Sequence, residues 1–340
     1  MTELTDWLAQ RAEAALEPDL PICDPHHHLW DHRPTYVYRY LLDDFLSDIG
    51  GGHNIVSTVF LECEAFYRAS GAEAMKPVGE VEFVNGMAAM SASGLYGPTQ
   101  VAAAIVGFAD LRLGAVVDEV LQAQLAAGGG RFRGIRHSSA HDPDPGIVGA
   151  ENTNPNGNVF SDKLFREGFA QLEPLNLSFD SWLYHPQIPQ LADLANSFPD
   201  TAIVLDHVGG PLGIGPYAGQ REKIFKTWAQ NINALAKCPN VNVKLGGLAM
   251  KLTGFGYHKL PDPPSSETLA QDWKPYLIHC IEAFGPERCM FESNFPVDKA
   301  SCAYTSLWNA FKLVTRDFSP SDKAHLFHDT AARFYRIEEN

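Results

Sequence analysis

Three consecutive histidines, His26–His28, are the residues whose types and spacing most clearly suggest chemistry. They follow an Asp-Pro step at the end of the short apolar run 20–23, which predicts a buried parallel strand. Because side chains alternate across a strand, we expect His26 and His28 on one face and His27 on the other. Two imidazoles on one face can bind one divalent cation or one substrate oxygen. A surface cluster or a tag remnant is the alternative, and it explains the flanking residues less well.

The elements that would position these histidines repeat along the chain. Eight short apolar or β-branched runs end in polar or glycine residues, and helical stretches separate them. Their spacing of roughly 38 residues per unit is typical of a (β/α)8 barrel. We therefore predict an α/β fold, a single (β/α)8 TIM barrel with long βα loops over residues 1–340, with residues 1–19 as a helical extension outside the barrel. The runs lie at 20–23, 55–62, 101–111, 130–137, 176–185, 201–207, 241–247 and 288–294.

Two further histidines end predicted strands, His185 on the fifth and His207 on the sixth. In such a barrel the carboxyl ends of all strands meet at one mouth, where active sites are built. The four histidines His26, His28, His185 and His207 would therefore converge. A lone histidine at a strand end is more often a packed or capping residue, but four of them on three strands favour a shared site.

The same mouth collects cations and aromatic rings, although the chain is acidic. A guanidinium binds a carboxylate through two hydrogen bonds, so these cations predict an anionic substrate. Aromatic side chains on the loops, among them Tyr184, favour a ring-shaped ligand, although any one of them more often simply packs a loop. The expected partner is a small anionic cyclic substrate. The cations are Arg33, Arg39 and Arg68 on loops, and Arg133 and Arg136 on the fourth predicted strand.

The composition excludes several classes of protein. A formal net charge of −15 argues against binding nucleic acid or an anionic membrane, since both require a basic surface. Six cysteines without a C-x-x-C spacing indicate neither a disulfide framework nor a zinc knuckle, and they favour a reducing cytoplasm. The longest apolar run, at 101–109, is too short to cross a bilayer. A homo-oligomer is left open.

Five segments, taken in order, resemble the amidohydrolase superfamily, and within it the amidohydrolase-2 branch that contains the 2-pyrone-4,6-dicarboxylate and sugar-acid lactonases. The likeness runs from about residue 20 to about residue 336. An H-x-H pair alone is a weak signal, whereas the ordered set is specific. The segments are D-P-H-H-H at 24–28, G-I-R at 134–136, L-D-H-V-G-G-P at 205–211, V-K-L-G-G at 243–247 and S-N-F-P-V-D at 293–298.

The resemblance implies a hydrolase that attacks an activated carbonyl. It implies that His26, His28 and His185 hold one divalent cation, Zn²⁺ or Mn²⁺ in preference to Ca²⁺, together with an oxygen from the eighth strand. The branch also contains metal-free members, in which the histidines would polarise the carbonyl directly. Lys244 resembles no bridging lysine, so we expect one ion and no binuclear centre. By the same analogy, His207 and His185 are catalytic residues, and Arg136 and Arg133 bind a carboxylate of the substrate.

The eighth strand departs from the branch. Members read S-D-W-P there, with the aspartate as ligand and general base, whereas this chain has Ser293-Asn294-Phe295-Pro296. An amide cannot take a proton from water near neutral pH, so Asn294 is assigned to substrate or ligand contact and the base must be another residue. Asp298 is the nearest carboxylate and is the predicted base; Glu62 and Glu64, after the second strand, are further candidates.

The leading interpretation is a metal-dependent or metal-assisted hydrolase of a carboxylated lactone or related ring ester, in aromatic or sugar-acid catabolism. The alternative is a decarboxylase or hydratase of an aromatic-derived acid, because the branch contains such enzymes too. A barrel that binds ligand without turnover is the third interpretation, and only Asn294 favours it. Fold analogy indicates a reaction class only weakly, so the sequence does not identify the substrate.

Overall fold

The computed structural model of the chain describes residues 2–31, 38–148 and 153–338. Eight strands in these ranges form one parallel sheet, in which each strand pairs with the next along the chain. The sheet closes where His28 N donates to Phe295 O at 2.8 Å and Asn294 N donates to His26 O at 2.9 Å. The predicted (β/α)8 barrel is confirmed. The strands are β1 (Pro21–His27), β2 (Asn54–Leu61), β3 (Gln100–Gly107), β4 (Phe132–Arg136), β5 (Ser178–Ser181), β6 (Ile203–Leu205), β7 (Val241–Leu245) and β8 (Cys289–Phe291).

Helices between the strands pack around the outside of the barrel. Ser319 caps the tenth helix, since Asp322 N donates to its Oγ at 3.1 Å. Within the described ranges, no helix combines the length and apolarity needed to cross a bilayer. The helices are α1 (Thr2–Ala9), α2 (Leu42–Ile49), α3 (Val78–Ala92), α4 (Asp118–Ala127), α5 (Lys163–Phe169), α6 (Ile188–Ser197), α7 (Arg221–Leu235), α8 (Ser266–Phe284), α9 (Tyr304–Val314), α10 (Pro320–Ala324) and α11 (Thr330–Phe334).

Three stretches with a helical sequence pattern, 1–19, 110–128 and 319–337, do not form one unbroken helix each. Helix α1 ends at Ala9, and the residues after it lie along α9, where Lys312 Nζ donates to Leu16 O at 2.8 Å. The stretch 110–128 begins as a 3-10 turn that is kinked at Gly114 before α4 starts. The stretch 319–337 is divided by a π-helical turn at His325–Asp329. The sequence pattern indicates the apolar face of each stretch, but tertiary packing determines where a helix breaks.

Alternation along the strands decides which side chains enter the barrel. In β7, Val243 packs outward on the helices, while its neighbour Lys244 is fully buried inside. In β8, Met290 points inward and Phe291 outward, so Glu292 points inward again. Met290 within β8 is apolar, whereas Lys244 near the carboxyl end of β7 and Glu292 just after β8 are charged and fully buried. The charged layer is therefore the place to look for chemistry.

The C-terminal segment closes the amino end of the barrel. Arg133, near the start of β4, donates from Nε to Tyr335 O at 2.8 Å. Tyr335 thus lies below the charged layer, and the open end of the barrel is the carboxyl end, as in other barrels of this type. Ala331, Phe334 and Tyr335 pack with the inward apolar residues Cys23, Val59, Leu61, Ala104, Val106, Val204 and Met290.

Candidate active site

His26 and His28 lie on the same face at the end of β1, as the alternation predicts. Their Nε2 atoms are 3.3 Å apart, and their rings meet edge to face. His27 points the other way and stacks on Phe45 at a centroid distance of 4.2 Å. Burial lowers the pKa of His27 to about 3. His27 is therefore a neutral packing residue, and the chemistry belongs to its two neighbours.

The partners of His28 indicate which of its nitrogens carries the proton. His28 Nδ1 lies 2.8 Å from Leu61 O, and because a carbonyl can only accept, this nitrogen donates. In a neutral His28 ring the lone pair then sits on Nε2, which lies 3.3 Å from His26 Nε2. His26 Nδ1 lies 2.8 Å from Glu292 Oε2, a contact without hydrogen-bond geometry, and 3.3 Å from Lys244 Nζ.

Glu292 joins two imidazoles. Its Oε1 accepts from His207 N at 3.0 Å and from His207 Nδ1 at 2.7 Å, while its Oε2 faces His26. A carboxylate in this position fixes the tautomer and orientation of an imidazole and raises its basicity. Glu292 is absent from the residues predicted above. The inward alternation from Met290 is the sequence signal that identifies it.

Asp206, directly after β6, lies beside these imidazoles. It is fully buried, and neither carboxylate oxygen has a directional hydrogen-bond partner among the described residues. One ligand atom from each of His26, Asp206 and His207 lies within 4.8 Å of the other two. These residues offer a buried set of nitrogen and oxygen donors. We call His26, His28, Asp206, His207 and Glu292 the histidine cluster.

Charged residues surround the histidine cluster inside the barrel. Lys244 Nζ lies 2.7 Å from Asp180 Oδ1 and 3.1 Å from Asp206 Oδ1. Arg136 Nη1 lies 3.3 Å from His26 Nε2 and 3.7 Å from Asp206 Oδ2. In this layer four carboxyl groups face two cationic side chains, so the acidic groups outnumber the basic ones. The four carboxylates are Glu62, Asp180, Asp206 and Glu292.

The pKa shifts agree with this charge pattern. Burial first, and then the charge of Lys244, hold the pKa of His26 well below its usual value. Burial raises the pKa of Asp206, but Lys244 and other nearby cations outweigh that effect and lower it overall. His26 is therefore neutral and Asp206 ionised near pH 7. These are the forms in which imidazole and carboxylate bind a metal ion.

The histidine cluster fits a divalent cation in three respects. Imidazole nitrogen and carboxylate oxygen are donors that Zn²⁺ and Mn²⁺ accept. Tetrahedral metal–nitrogen bonds of about 2.0–2.1 Å place two nitrogens about 3.3 Å apart, which is the separation of His26 Nε2 and His28 Nε2. A doubly charged ion would also suit the surrounding layer, in which acidic groups outnumber basic ones.

Comparison with known proteins agrees with this fold. Residues 23–337 match the profile of the family described as Amidohydrolase. The chain belongs to the amidohydrolase family. It is 34% identical to the uncharacterized protein y4mH of Sinorhizobium fredii, over 94% of this chain and 99% of that protein. This amidohydrolase is also 25% identical to L-fucono-1,5-lactonase of Burkholderia multivorans, over 70% of this chain and 72% of that enzyme.

Solved structures share the fold of this amidohydrolase. An amidohydrolase from Burkholderia multivorans with bound zinc superposes with a TM-score of 0.70 at 22% sequence identity. The match covers 93% of this chain and 99% of that one. The family membership and the lactonase relative make this chain a hydrolase.

His185 lies apart from the histidine cluster. β5 ends at Ser181, four residues before His185, so this histidine belongs to the following loop. Its Nδ1 accepts from Leu212 N at 3.2 Å, and its ring packs edge-on against Tyr217 at 5.3 Å. Burial lowers the pKa of His185 to about 4. The structure thus places His185 with Leu212 and Tyr217 and not with the histidine cluster, so its predicted metal and catalytic roles stay predictions that this placement does not support.

The side chains of Asp298 and Asn294 bind each other instead of the histidine side chains. Asn294 Nδ2 donates to Asp298 Oδ1 at 3.0 Å, and Ala249 N donates to Asp298 Oδ2 at 3.3 Å. Burial raises the pKa of Asp298 well above its usual value. Asp298 therefore ties the loop after β7 to the segment after β8. Glu292 replaces the predicted Asp298 as the strand-8 carboxylate at the site, and the side chain of Asn294 is engaged by Asp298.

Arg136 reaches the histidine cluster, whereas Arg133 does not. Arg136 Nε donates to Glu62 Oε1 at 2.8 Å and Nη2 donates to Glu62 O, which leaves Nη1 facing His26. Glu62, a candidate base in the sequence, is thus the buried ion-pair partner of Arg136. Arg133 donates to backbone carbonyls of the C-terminal segment. The predicted substrate contact of Arg133 is wrong, because it lies at the opposite end of the barrel.

Aromatic side chains form a wall beside His207. Trp182 packs edge-on against His207 at 4.9 Å and against Tyr184 at 5.6 Å. Tyr184 is buried with Ala140, Ile147 and Leu212, and its hydroxyl donates to Val148 O. Tyr184 was predicted to contact substrate, but the ring in contact with the histidine cluster is that of Trp182.

The loop arginines predicted at the mouth are paired with carboxylates or lie outside the described residues. Arg39 Nη2 donates to Asp43 Oδ1 at 2.8 Å, and Arg68 donates to Glu82. Arg33 lies outside the described residues. Of the five predicted arginines, Arg136 is the one that the described structure places against the histidine cluster.

Proposed function

We propose that this amidohydrolase hydrolyses the ester bond of a lactone or related ring ester, with one divalent cation held by the histidine cluster. The observation that carries the proposal is Glu292, which orients two imidazoles beside the buried carboxylate of Asp206. The ligands would be the imidazoles of His26 and His28 and the carboxylate of Asp206, which leaves His207 free to exchange a proton. When bound, a divalent cation supplies Lewis-acid polarisation of the substrate carbonyl.

His207 is the base in this proposal. Its Nδ1 donates to Glu292 Oε1 at 2.7 Å, so the lone pair sits on Nε2. Nε2 takes a proton from the attacking water as the bond from water oxygen to carbonyl carbon forms, and Glu292 stabilises the imidazolium. The imidazolium then returns the proton to the ring oxygen as the ester bond breaks. The product is an open-chain hydroxy acid.

The nature of the substrate is inferred from the residues beside His207. Trp182 offers a flat apolar wall for a ring, and the relative named L-fucono-1,5-lactonase supports a sugar lactone. Arg136 has only Nη1 available for a substrate oxygen while Glu62 holds its other two nitrogens. The expected two-bond grip on a substrate carboxylate is therefore absent in this arrangement. The proposal therefore covers lactones with and without a carboxylate. The small anionic cyclic substrate expected from the sequence is a lactone of the first kind.

Arg136 also favours a metal-free form of the same reaction. Its Nη1 lies 3.3 Å from His26 Nε2, at the edge of the proposed metal position. In that form, Arg136 would donate to the carbonyl oxygen, and His207 would act as before. The two forms differ in whether removal of metal abolishes turnover.

The test is ring opening measured by proton release on a panel of sugar 1,5-lactones and 2-pyrone carboxylates. The protein is assayed as purified, after dialysis against chelator, and after addition of Zn²⁺ or Mn²⁺, with elemental analysis in parallel. We expect one ion per chain, loss of turnover in chelator and recovery with metal. Full turnover without metal would favour the metal-free form. Release of CO2 from aromatic acids, with no lactone opened, would replace hydrolysis by decarboxylation.

A further inference from the structure

Tyr335 brings the C-terminal segment into the charged layer below the histidine cluster. Its hydroxyl donates to Asp180 Oδ1 at 2.5 Å, the same oxygen that Lys244 Nζ reaches at 2.7 Å. Tyr335 is fully buried, and its ring centre lies 5.4 Å from Lys244 Nζ. The other carboxylate oxygen of Asp180 has no hydrogen-bond partner among the described residues. The hydroxyl of Tyr335 is thus one of two donors that hold this buried anion.

Lys244 is shared between Asp180 and a proposed metal ligand. Its Nζ lies 2.7 Å from Asp180, 3.1 Å from Asp206 and 3.3 Å from His26 Nδ1. The ammonium of Lys244 and a divalent cation would therefore both interact with the carboxylate of Asp206. Two cations that share one buried carboxylate oppose each other, because little solvent screens them. The shorter contact to Asp180 keeps part of the ammonium's interaction away from Asp206.

We propose that Tyr335 and Asp180 form a brace that sets the metal affinity of the histidine cluster by limiting the hold of Lys244 on Asp206. The inference rests on the metal binding in the proposed function. Tyr335 is a positioning residue, since it contacts none of the proposed metal ligands and acts through Asp180. Because the other oxygen of Asp180 has no hydrogen-bond partner among the described residues, the Tyr335 hydroxyl fixes the orientation in which Oδ1 meets Lys244. Without this hydroxyl the carboxylate is free to turn, and it holds the ammonium less firmly. Lys244 then turns to Asp206 and competes with the metal ion.

Affinity for Zn²⁺ and Mn²⁺, measured on metal-free protein by competition with a chromophoric chelator, tests the brace. Tyr335→Phe keeps the ring and removes the hydroxyl, and we expect it to weaken Zn²⁺ binding about tenfold. Asp180→Asn should weaken binding at least as much. The double variant should match Asp180→Asn alone, because the hydroxyl acts through that carboxylate. In a Lys244→Met background, where the competing ammonium is gone, Tyr335→Phe should have no effect.

Tyr257→Phe is the matched control. It removes another buried tyrosine hydroxyl from an aspartate, Asp272 at 2.7 Å, on the outer helix α8. We expect its Zn²⁺ affinity to equal that of the wild type. If Lys244→Met does not fold, the comparison of Tyr335→Phe, Asp180→Asn and their double variant decides alone.

Wild-type Zn²⁺ affinity in Tyr335→Phe, or an effect that adds to that of Asp180→Asn, would overturn the brace. A wild-type protein that binds neither ion would overturn the metal-dependent form of the proposed function, and the brace with it. The wild-type titration therefore distinguishes the two failures. An equal loss in Tyr257→Phe would show a general effect of removing buried hydroxyls and would also overturn the brace.

Discussion

Glu292 Oε1 accepts from both the backbone nitrogen of His207, at 3.0 Å, and its Nδ1, at 2.7 Å. Two contacts from one oxygen to one residue fix the ring and its tautomer together. The other oxygen of Glu292 reaches His26 Nδ1 at 2.8 Å. A single carboxylate thus organises two imidazoles, and it supplies at the end of β8 the negative charge that Asn294 lacks.

We expect Glu292→Gln to lower kcat roughly 10²–10⁴-fold, because an amide cannot stabilise the imidazolium that His207 becomes. Steady-state kinetics on a lactone substrate measure the loss, and circular dichroism checks the fold. Asp298→Asn is the control. Asp298 is as deeply buried as Glu292, but its side chain accepts from Asn294 Nδ2 at 3.0 Å and not from a histidine. It should keep most of the activity. A silent Glu292→Gln beside an inactive Asp298→Asn would restore Asp298 as the base.

The metal content of histidine variants should distinguish the metal ligands from His185. We expect His26→Ala and His28→Ala to lose the bound ion, with a fall in affinity beyond the roughly 10–100-fold typical of losing an outer-shell partner. His185→Ala should retain it, because its ring contacts Leu212 and Tyr217 instead. Elemental analysis after dialysis against a weak chelator gives the result. Metal loss confined to His185→Ala would return His185 to the ligand set.

Arg136→Met should destabilise the fold. If Arg136 faced only the substrate, the variant would instead change substrate affinity and leave stability unchanged. Arg136 and Glu62 are a buried pair with 9% and 8% of their side chains exposed. Removing one partner of such a pair costs about 3–5 kcal/mol, because the other charge is left buried. Urea unfolding measures the change in the free energy of unfolding. Adding Glu62→Gln should restore part of it, and a KM effect at unchanged stability would contradict this reading.

His53 should make the protein sensitive to acid. Burial first, and then Lys312, lower its pKa from 6.5 to about 4, so the folded state binds the proton less readily than the unfolded chain. Its contribution to stability is complete above pH 6.5 and is lost as the pH falls toward 4. At about 1.4 kcal/mol per pKa unit, the loss reaches about 3 kcal/mol.

His53→Gln is the variant that isolates this effect. A glutamine can accept from Lys312 Nζ, which now donates to His53 Nδ1 at 2.8 Å, and can donate to Thr305 O as His53 Nε2 does at 3.2 Å. Urea midpoints between pH 7 and pH 4 should therefore fall less steeply in His53→Gln than in the wild type. Parallel curves for the two proteins would show that His53 does not carry the acid sensitivity.

The sequence by itself determined the barrel and the face that His26 and His28 share. Alternation is a local property of an extended chain, so the spacing of His26 and His28 placed them on one face before any tertiary contact was considered. His207 and Arg136 reach the site for the same reason, since each lies at the end of a strand that is visible as an apolar run. The same inward alternation from Met290 points to Glu292.

Only the tertiary structure decided where strands end and which distant charges meet. His185 falls outside the site because β5 ends at Ser181 and the chain has left the sheet before the 3-10 turn at His185–Gln187. Asp180 meets Lys244 and Tyr335 across 64 and 155 residues of chain. Periodicity decides the face on which a side chain lies. The partner of that side chain depends on how the eight strands and the C-terminal segment pack around the barrel interior. A charge buried there is stable only beside a charge of opposite sign.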